Sequence, residues 1–219
     1  QAASRDPESV TAQLKGLREV LVSRPFWRIA PWALSAQAAY LSIQGLWSGP
    51  WLRDVAGFDR GQVAGMLFWI AVAMIVGYFT FGSLATRLAK CGIPPAAVAA
   101  TGMGAFLVVQ ALLIVVPEYV AGLWLGFGFF GTACILPYAV LAQAFPKHLT
   151  GRCNTSLNLL VFVSAFAGQW LIGAIVGLWP SNSDGGYQPA GYHAAFGVLI
   201  GLQLLAAAWY FIAGKIRSV

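Results

Sequence analysis

Residues 61–81 read GQVAGMLFWIAVAMIVGYFTF and contain no charged side chain. A helix crosses the hydrocarbon core of a bilayer with about 20 apolar residues, and this stretch has that length. Its apolar residues run on without the strict alternation of apolar and polar positions that marks a half-buried strand. We therefore predict that residues 61–81 form a transmembrane helix.

Similar stretches lie on both sides of this one, and glycine or proline separates most of them. Hydrophobic residues make up 59% of the chain and charged residues 9%, whereas soluble domains carry about 25% charged residues. The sequence therefore predicts an all-α integral membrane protein with six transmembrane helices. The predicted spans are about Phe26–Ser48, about Gly61–Phe81, the residues between Pro95 and Pro117, about Tyr119–Phe145, about Asn154–Leu178 and about Tyr192–Ala213.

Lysine and arginine are distributed unevenly between the segments that connect these spans. Eleven fall on the side that holds both chain ends, and only Arg53 and Arg60 fall on the other side. Because basic connecting segments stay in the cytoplasm, both termini are predicted to be cytoplasmic. We expect the protein in the inner (plasma) membrane of a bacterium. The eleven residues are Arg5, Lys15, Arg18, Arg24, Arg28, Arg87, Lys90, Lys147, Arg152, Lys215 and Arg217.

Residues 1–24 are polar and are predicted to be a cytoplasmic amphipathic linker, followed by a six-helix transmembrane domain over residues 25–219. Four apolar residues recur in the linker at helical spacing, with charged residues mostly on the other faces. One interpretation is a short amphipathic helix on the membrane surface. The other is a solvated linker with helical tendency. The four apolar residues are Val10, Leu14, Leu17 and Leu21.

Several function classes leave signals that this sequence lacks. The net charge is +6, but the basic residues occur singly or in pairs between apolar blocks and form no cluster typical of nucleic-acid binding. The 3 cysteines show no metal-ligand or CxxC spacing. There is no HExxH or GxSxG motif, and neither His148 nor His193 has an evident catalytic partner. We expect no enzymatic activity, no cofactor, no metal and no nucleic-acid partner.

Uncharged polar residues form two stripes within the spans, and no charged side chain lies well inside any span. The first span carries Gln37 and Gln44 with two aromatic residues on one face, and the fifth carries Asn154, Asn158 and Gln169 on one face. Buried amides in lipid need hydrogen-bond partners or water. The stripes fit a wetted cavity for a polar or aromatic solute, and they also fit hydrogen bonds that hold helices together. The candidate cavity residues are Gln37, Tyr40, Gln44, Trp47, Tyr138, Asn158 and Gln169.

The fourth span is the one most expected to bend. Pro137 lies inside it, and Gly126, Gly128 and Gly131 precede that proline. A bend beside a cavity fits a gate, and it fits a static kink equally well.

The segment after the second span resembles a motif of a known family. Residues 82–92 read GSLATRLAKCG, which resembles the G-x-L-a-D-R-x-G-R-R loop of major facilitator superfamily transporters. Gly82, Leu84, Arg87 and Lys90 match this pattern, whereas Thr86 replaces its aspartate. We take Gly82, Arg87 and Lys90 as part of a cytoplasmic loop motif.

Two further segments are similar to the same family. Residues 145–154 read FPKHLTGRCN and resemble the loop between the family's tenth and eleventh helices, with Gly151 and Arg152 as the second part of the loop motif. Residues 44–50 read QGLWSGP and are similar to the end of its seventh helix. The three segments occur in the family's order, and the resemblance covers essentially the whole chain.

The resemblance implies the C-terminal half of a secondary transporter with two six-helix halves. It implies a 3+3 inverted repeat, with units of about 25–116 and 117–219, and alternating access to a cavity between the halves. The implied partners are the lipid bilayer, a small-molecule substrate, and an N-terminal six-helix half or a self-associated copy. In the family the loop aspartate helps to latch the halves, and Thr86 cannot supply that charge. The alternative is a self-contained six-helix channel or an oligomeric membrane scaffold.

Overall fold

A computed structural model describes residues 10–182 and 185–215, and every regular element in those ranges is helical, as the sequence predicts. A π turn joins α2 to α3, and 3-10 turns precede α6 and α7. In chain order the elements are α1 (Val10–Val22), α2 (Arg24–Ser42), the π turn (Ile43–Trp47), α3 (Ser48–Asp54), α4 (Arg60–Lys90), α5 (Pro95–Val115), a 3-10 turn (Pro117–Tyr119), α6 (Val120–Gly131), a 3-10 turn (Thr132–Ile135), α7 (Leu136–Gln143), α8 (Thr150–Val176) and α9 (Pro189–Lys215).

Five helical segments within the described ranges are long and apolar enough to cross a bilayer. The first predicted span is not among them. Its helix, α2, carries Arg24, Arg28 and Gln37, and it buries ten of its 19 residues against other helices. A helix that other helices surround exposes little surface to lipid, so it can cross a membrane with fewer apolar side chains. The sixth crossing stays a prediction. The five segments are Arg60–Lys90, Pro95–Val115, Pro117–Gln143, Thr150–Val176 and Pro189–Ala213.

The helices form one bundle with α2 and α6 near its centre. α2 contacts both α8 and α9, while α6 contacts both α4 and α5. α5 and α9 meet each other, and α2 meets α7. An aromatic cluster fills the centre, where the Tyr40 ring lies 5.7 Å from the Phe106 ring and 5.6 Å from the Phe127 ring between centroids. The fully buried rings of Trp51 and Trp124 continue this cluster and close the centre of the bundle.

Gly77 allows α4 to lie close against α6. A Cβ at this position would lie 2.6 Å from the Phe129 backbone oxygen and 2.5 Å from Oγ1 of Thr132. The Thr132 hydroxyl can rotate away, but the Phe129 backbone oxygen moves only with its helix, so the close approach requires glycine at position 77.

Gly168 plays the same part between α8 and α2. A Cβ there would lie 2.5 Å from Oγ of Ser42 and 4.0 Å from the Ala38 backbone oxygen. The Ser42 hydroxyl also donates a hydrogen bond of 2.8 Å to the Ala165 carbonyl. This crossing therefore combines a glycine contact with an interhelical hydrogen bond.

A reciprocal amide pair joins α5 to α9. The Gln110 amide nitrogen donates to Oε1 of Gln203 at 3.1 Å, and the Gln203 amide nitrogen donates to Oε1 of Gln110 at 3.0 Å. Both side chains are almost fully buried, and Gln203 also donates to the Leu199 carbonyl at 3.1 Å. The two amides satisfy each other away from water.

Removing one amide of this pair is expected to destabilise the bundle because its partner is left unsatisfied in an apolar setting. Gln110→Leu or Gln203→Leu should each cost about 1–2 kcal/mol, whereas the double substitution should cost about as much as one of them. Melting temperatures of the purified single and double variants in detergent measure this coupling. Strictly additive losses would show that the two amides do not act as a pair.

The fourth predicted span is interrupted where the sequence predicts a bend. The 3-10 turn at residues 132–135 separates α6 from α7, and Pro137 follows it as the second residue of α7. A proline near a helix N-terminus costs no hydrogen bond, so the break and the proline agree. The predicted bend is confirmed as a break between two helices.

The N-terminal helix predicted from the apolar spacing is present as α1. It ends at Val22, and α2 begins at Arg24 after the single residue Ser23, whose hydroxyl accepts a hydrogen bond from the Phe26 amide. The predicted linker boundary at residue 24 therefore falls at this junction. Residues 1–9 of the linker lie outside the described residues.

Candidate functional site

The polar stripe predicted in the first span lies on α2 and the π turn, and it contains both buried and accessible residues. Tyr40 is 2% exposed, and its hydroxyl donates to the Gly128 carbonyl at 3.4 Å. Gln37 and Gln44 are half-buried, and Oε1 of Gln37 is buried without a hydrogen-bond partner in the described structure. Tyr40 thus belongs to the aromatic centre of the bundle, while the two amides have unused hydrogen-bonding capacity.

The π turn brings the stripe of the first helix against the stripe of α8. The Trp47 indole nitrogen donates to the Gln169 carbonyl at 3.0 Å. A Cβ at Gly45 would lie 3.5 Å from the side-chain nitrogen of Gln169. The structure therefore places three of the predicted residues together at this turn, namely Gln44 within it, Trp47 at its end and Gln169 opposite. π turns of this kind are frequent at functional sites.

Tyr138 and Asn158 form a second polar pair. The Tyr138 hydroxyl donates to Oδ1 of Asn158 at 3.1 Å, in an exposed position between α7 and α8. Asn158 and Gln169 lie on the same helix, about 16 Å apart along its axis at 1.5 Å per residue. Five of the seven predicted cavity residues thus lie in two separate groups along α8. Gln37 belongs to neither group, and Tyr40 lies in the aromatic centre of the bundle.

The residues predicted as a cytoplasmic loop motif are helical, and this prediction of a loop is wrong. Gly82, Arg87 and Lys90 lie in the last turns of α4, and Gly151 and Arg152 lie in the first turn of α8. Leucine and alanine between residues 84 and 89 favour helix, and basic residues in a last turn interact favourably with the helix dipole. The turn itself begins after Lys90, where Gly92 has a φ of 83°.

A buried carboxylate at the end of α3 was not predicted as a functional residue. The Asp54 side chain is 2% exposed and accepts hydrogen bonds from the Tyr192 hydroxyl at 2.7 Å, the Tyr187 backbone amide at 3.0 Å and Nε of Arg53 at 2.6 Å. A Cβ at Gly186 would lie 2.6 Å from Oδ1 of Asp54. Asp54 therefore joins the end of α3 to the start of α9 and to the residues just before α9.

The hydrogen bonds to Asp54 set the direction of its pKa. Burial opposes ionisation of the carboxyl, but the bonds from Arg53, the Tyr187 amide and the Tyr192 hydroxyl outweigh burial and hold the pKa of Asp54 below its ordinary value. Because the folded pKa is lowered, the stability that Asp54 contributes is present above the ordinary value and is lost as the pH falls through the folded value.

The pH dependence of stability should therefore depend on Asp54. We expect the wild type to melt higher than Asp54→Asn at pH 7, and the difference to shrink as the pH falls below the ordinary value of 3.8. Melting temperatures of both proteins between pH 3 and pH 7 measure this. A difference that is constant over the whole range would contradict the ionised state of Asp54.

The described residues offer no metal centre, because no three His, Cys, Asp or Glu side chains among them lie close enough to hold an ion. His148 is exposed and His193 is half-buried beside the α9 N-terminus. Among the described residues, the buried side-chain polar atoms without a hydrogen-bond partner are Nε of Arg28, Oε1 of Gln37, Nε1 of Trp51, Nε1 of Trp124, Oδ1 of Asn154 and Nε2 of His193.

Comparison of the chain with known protein families and with curated proteins yields no match.

Proposed function

We propose that this chain is the C-terminal half of a secondary transporter, and that it moves a small solute by alternating access together with an N-terminal half of six helices. The observation that carries the proposal is that the same kind of close contact, between a glycine of one helix and the backbone of another, occurs at two places in the bundle. That repetition supports a 3+3 repeat, which is the internal organisation of the transporter halves that the sequence resembles.

The two helix contacts, at Gly77 and at Gly168, involve the same kinds of partner atoms, and their residues are separated by nearly the same number of positions along the chain. In each, a glycine of one unit's second helix faces a backbone oxygen of the other unit's first helix and, about one turn further on, a hydroxyl. Each residue lies 90 or 91 positions from its counterpart. Units of about 25–116 and 117–219 account for this agreement. The equivalent pairs are Gly77 and Gly168, Phe129 and Ala38, and Thr132 and Ser42.

Three crossings in each unit make the second unit inverted relative to the first. In such a repeat the equivalent third helices, α5 and α9, meet at the axis that relates the two units. The bonded amides of Gln110 and Gln203 lie between these helices and are 93 positions apart. This self-complementary contact supports the inverted arrangement.

The repeat also supports the sixth crossing that the sequence predicts over about Phe26–Ser48. α2, the π turn and α3 are continuous over 31 residues, which gives about 46 Å of helix at 1.5 Å per residue. The equivalent segment of the second unit is Pro117–Gln143, a membrane-length helix that is also interrupted, at residues 132–135. The π turn at residues 43–47 stands 89 positions before that interruption. Six crossings place both chain ends on one side, which the distribution of basic residues assigns to the cytoplasm.

The proposed substrate surface runs along α2, α7 and α8. Gln44 and Gln169 at the π turn, and Tyr138 and Asn158 nearer the other end of α8, supply neutral donors and acceptors that reach beyond the bundle. Oε1 of Gln37 is buried without a hydrogen-bond partner among the described residues, which is costly in lipid, so a solute or a wetted cavity accounts for it better than a lipid chain. We assign these four residues and Gln37 to substrate binding.

The proposed N-terminal half would cover apolar surface that the bundle exposes. On α8, Phe166 and Trp170 are 74% and 70% exposed, and on α4 Phe79 is 75% exposed. Lipid or protein covers such side chains in a membrane. The same surface also favours the second candidate, an oligomeric channel or scaffold in which copies of the chain cover one another.

Transport by the chain alone distinguishes the two candidates. Liposomes that contain only the 219-residue chain should show no uptake of labelled neutral sugars or amino acids above protein-free liposomes, and planar bilayers should show no unitary currents. Robust flux or currents from the chain alone would contradict the half-transporter proposal and favour the channel. Cross-linking of single cysteines placed at position 166 in native membranes tests self-association as an oligomeric scaffold.

A further inference from the structure

α1 docks on the bundle by a narrow face. Gly16 lies against Arg152 of α8, so closely that a Cβ at Gly16 would lie 2.9 Å from Cδ of that arginine. Val20, one turn later, is fully buried. The Trp27 indole nitrogen donates to the Leu21 carbonyl at 2.6 Å and fixes the end of α1 to α2. α1 is therefore held against the bundle and is not a free linker.

A second face of α1 is apolar and uncovered. Leu14 and Leu17 are 61% and 38% exposed, and Leu21, which shares their face, is half-buried. If this face were in water, its leucine side chains would stay hydrated, whereas burying each of them lowers the free energy by roughly 1.5–3 kcal/mol. The exposed leucines indicate an apolar phase beside α1.

A third side of α1 carries charged residues beside the exposed Val22 and borders an open groove. Lys15, Arg18, Glu19, Val22 and Ser23 line this groove, whose volume is about 490 Å³. Two cations and one anion leave it with a net positive charge, and Ser23 adds a hydroxyl. A phosphate-bearing group complements such a lining.

Tryptophans place α1 at the level of the membrane boundary. Trp27 is 44% exposed and Trp209 is 50% exposed, and the Trp209 indole donates to the Trp27 carbonyl at 2.8 Å. Tryptophan is enriched at the interface between lipid headgroups and hydrocarbon. Only Ser23 separates α1 from the helix that carries Trp27, so the C-terminal end of α1 lies at that level.

We propose that α1 lies in the membrane interface and binds the headgroup of an anionic phospholipid through Lys15 and Arg18, with Leu14 and Leu17 at the boundary of the acyl chains. Basic residues beside apolar ones on one helix are typical of interfacial binding to anionic lipid. The inference does not depend on transport, and only the side of the membrane on which α1 lies rests on the proposed topology.

Spin labels on the full chain in vesicles test the position of the leucine face. Cys91 is exposed, so it is first replaced by serine, and single labels are placed by Leu17→Cys and, as a matched control on the polar face, by Glu19→Cys. In vesicles of phosphatidylcholine and phosphatidylglycerol at 7:3, we expect position 17 to collide more with oxygen than with a nickel chelate, and position 19 to show the reverse. A nickel collision rate at position 17 equal to that at position 19 would overturn the proposal, and so would protection of position 17 from both reagents, which would indicate cover by protein.

Charge variants test the headgroup assignment. Each basic residue near an anionic surface contributes roughly fivefold in binding, so Lys15→Gln with Arg18→Gln should weaken the binding of α1 to phosphatidylglycerol by roughly 25-fold. The phosphatidylglycerol fraction at which position 17 becomes immersed should rise as a result. Glu19→Gln removes the anion of the groove and should lower that fraction. An unchanged lipid response in both variants would overturn the role of the groove.

Discussion

Gly77→Ala is expected to destabilise the bundle by about 1–3 kcal/mol, although alanine is the better helix former. The added methyl group would lie 2.6 Å from the Phe129 backbone oxygen and 2.5 Å from Oγ1 of Thr132. A side chain can rotate away, but a helical backbone oxygen cannot, so α4 and α6 must separate. Melting temperature in detergent and recovery after heating measure the loss.

Gly65→Ala is the matched control, because Gly65 lies on the same helix with nothing within 4 Å of the added carbon. It should be neutral or stabilising by up to about 1 kcal/mol. Equal effects at positions 65 and 77 would contradict the close crossing of α4 and α6.

The equivalent substitution, Gly168→Ala, should also destabilise, but a second change should relieve it. Its closest obstacle is the hydroxyl of Ser42, 2.5 Å from the added carbon, whereas the Ala38 backbone oxygen is 4.0 Å away. Ser42→Ala removes that hydroxyl, so the double variant should regain part of the loss despite losing the hydrogen bond to Ala165. Thr132→Ala should not rescue Gly77→Ala, because the Phe129 oxygen remains. Rescue of Gly77→Ala by Thr132→Ala, without rescue of Gly168→Ala by Ser42→Ala, would be evidence against these contacts.

Asp54→Ala is expected to cost on the order of 2–3 kcal/mol, because hydrogen bonds to a charged group are strong and their loss leaves donors unsatisfied. The Tyr192 hydroxyl and the Tyr187 amide would both lose their acceptor. The segment before α9 would then detach from the end of α3. Melting temperature measures the stability, and the rate of limited proteolysis between residues 177 and 188 measures the detachment.

Arg53→Ala is the control for this prediction. The Arg53 side chain is 58% exposed, and an exposed ion pair contributes at most about 1 kcal/mol. Tyr192→Phe should cause an intermediate loss, since it removes one of the donors and leaves the carboxylate in place. If Arg53→Ala proved as damaging as Asp54→Ala, the carboxylate would act through the ion pair and not through the tyrosines.

The sequence predicts the helices of this fold best where the apolar residues are continuous. The stretch at residues 61–81 was recognisable because its whole surface is apolar, and α4 indeed contains it. The first helix was harder to judge, because α2 contacts protein on several sides and can carry arginine and glutamine. The extension of α4 to Lys90 was missed because a glycine and polar residues follow Phe81, and tertiary context outweighs such weak local signals.

The sequence predicts the candidate site only in part. Regular spacing placed Gln37, Gln44 and Gln169 on helix faces, and the structure adds that Trp47 binds the Gln169 backbone. Spacing could not show that Tyr40 points into an aromatic cluster, because one helix face of a bundle can be buried or open. No local pattern links Asp54 to Tyr192, which lies 138 positions away.

The number of membrane crossings tests the central claim most directly, because five crossings place the chain ends on opposite sides and six place them on one side. Single cysteines at the two ends of the chain, labelled in intact cells with a membrane-impermeant maleimide, measure this. The six-helix half predicts that neither end reacts until the membrane is opened. Labelling of one end in intact cells, with the other reacting only after lysis, would contradict the sixth crossing and the inverted repeat built on it.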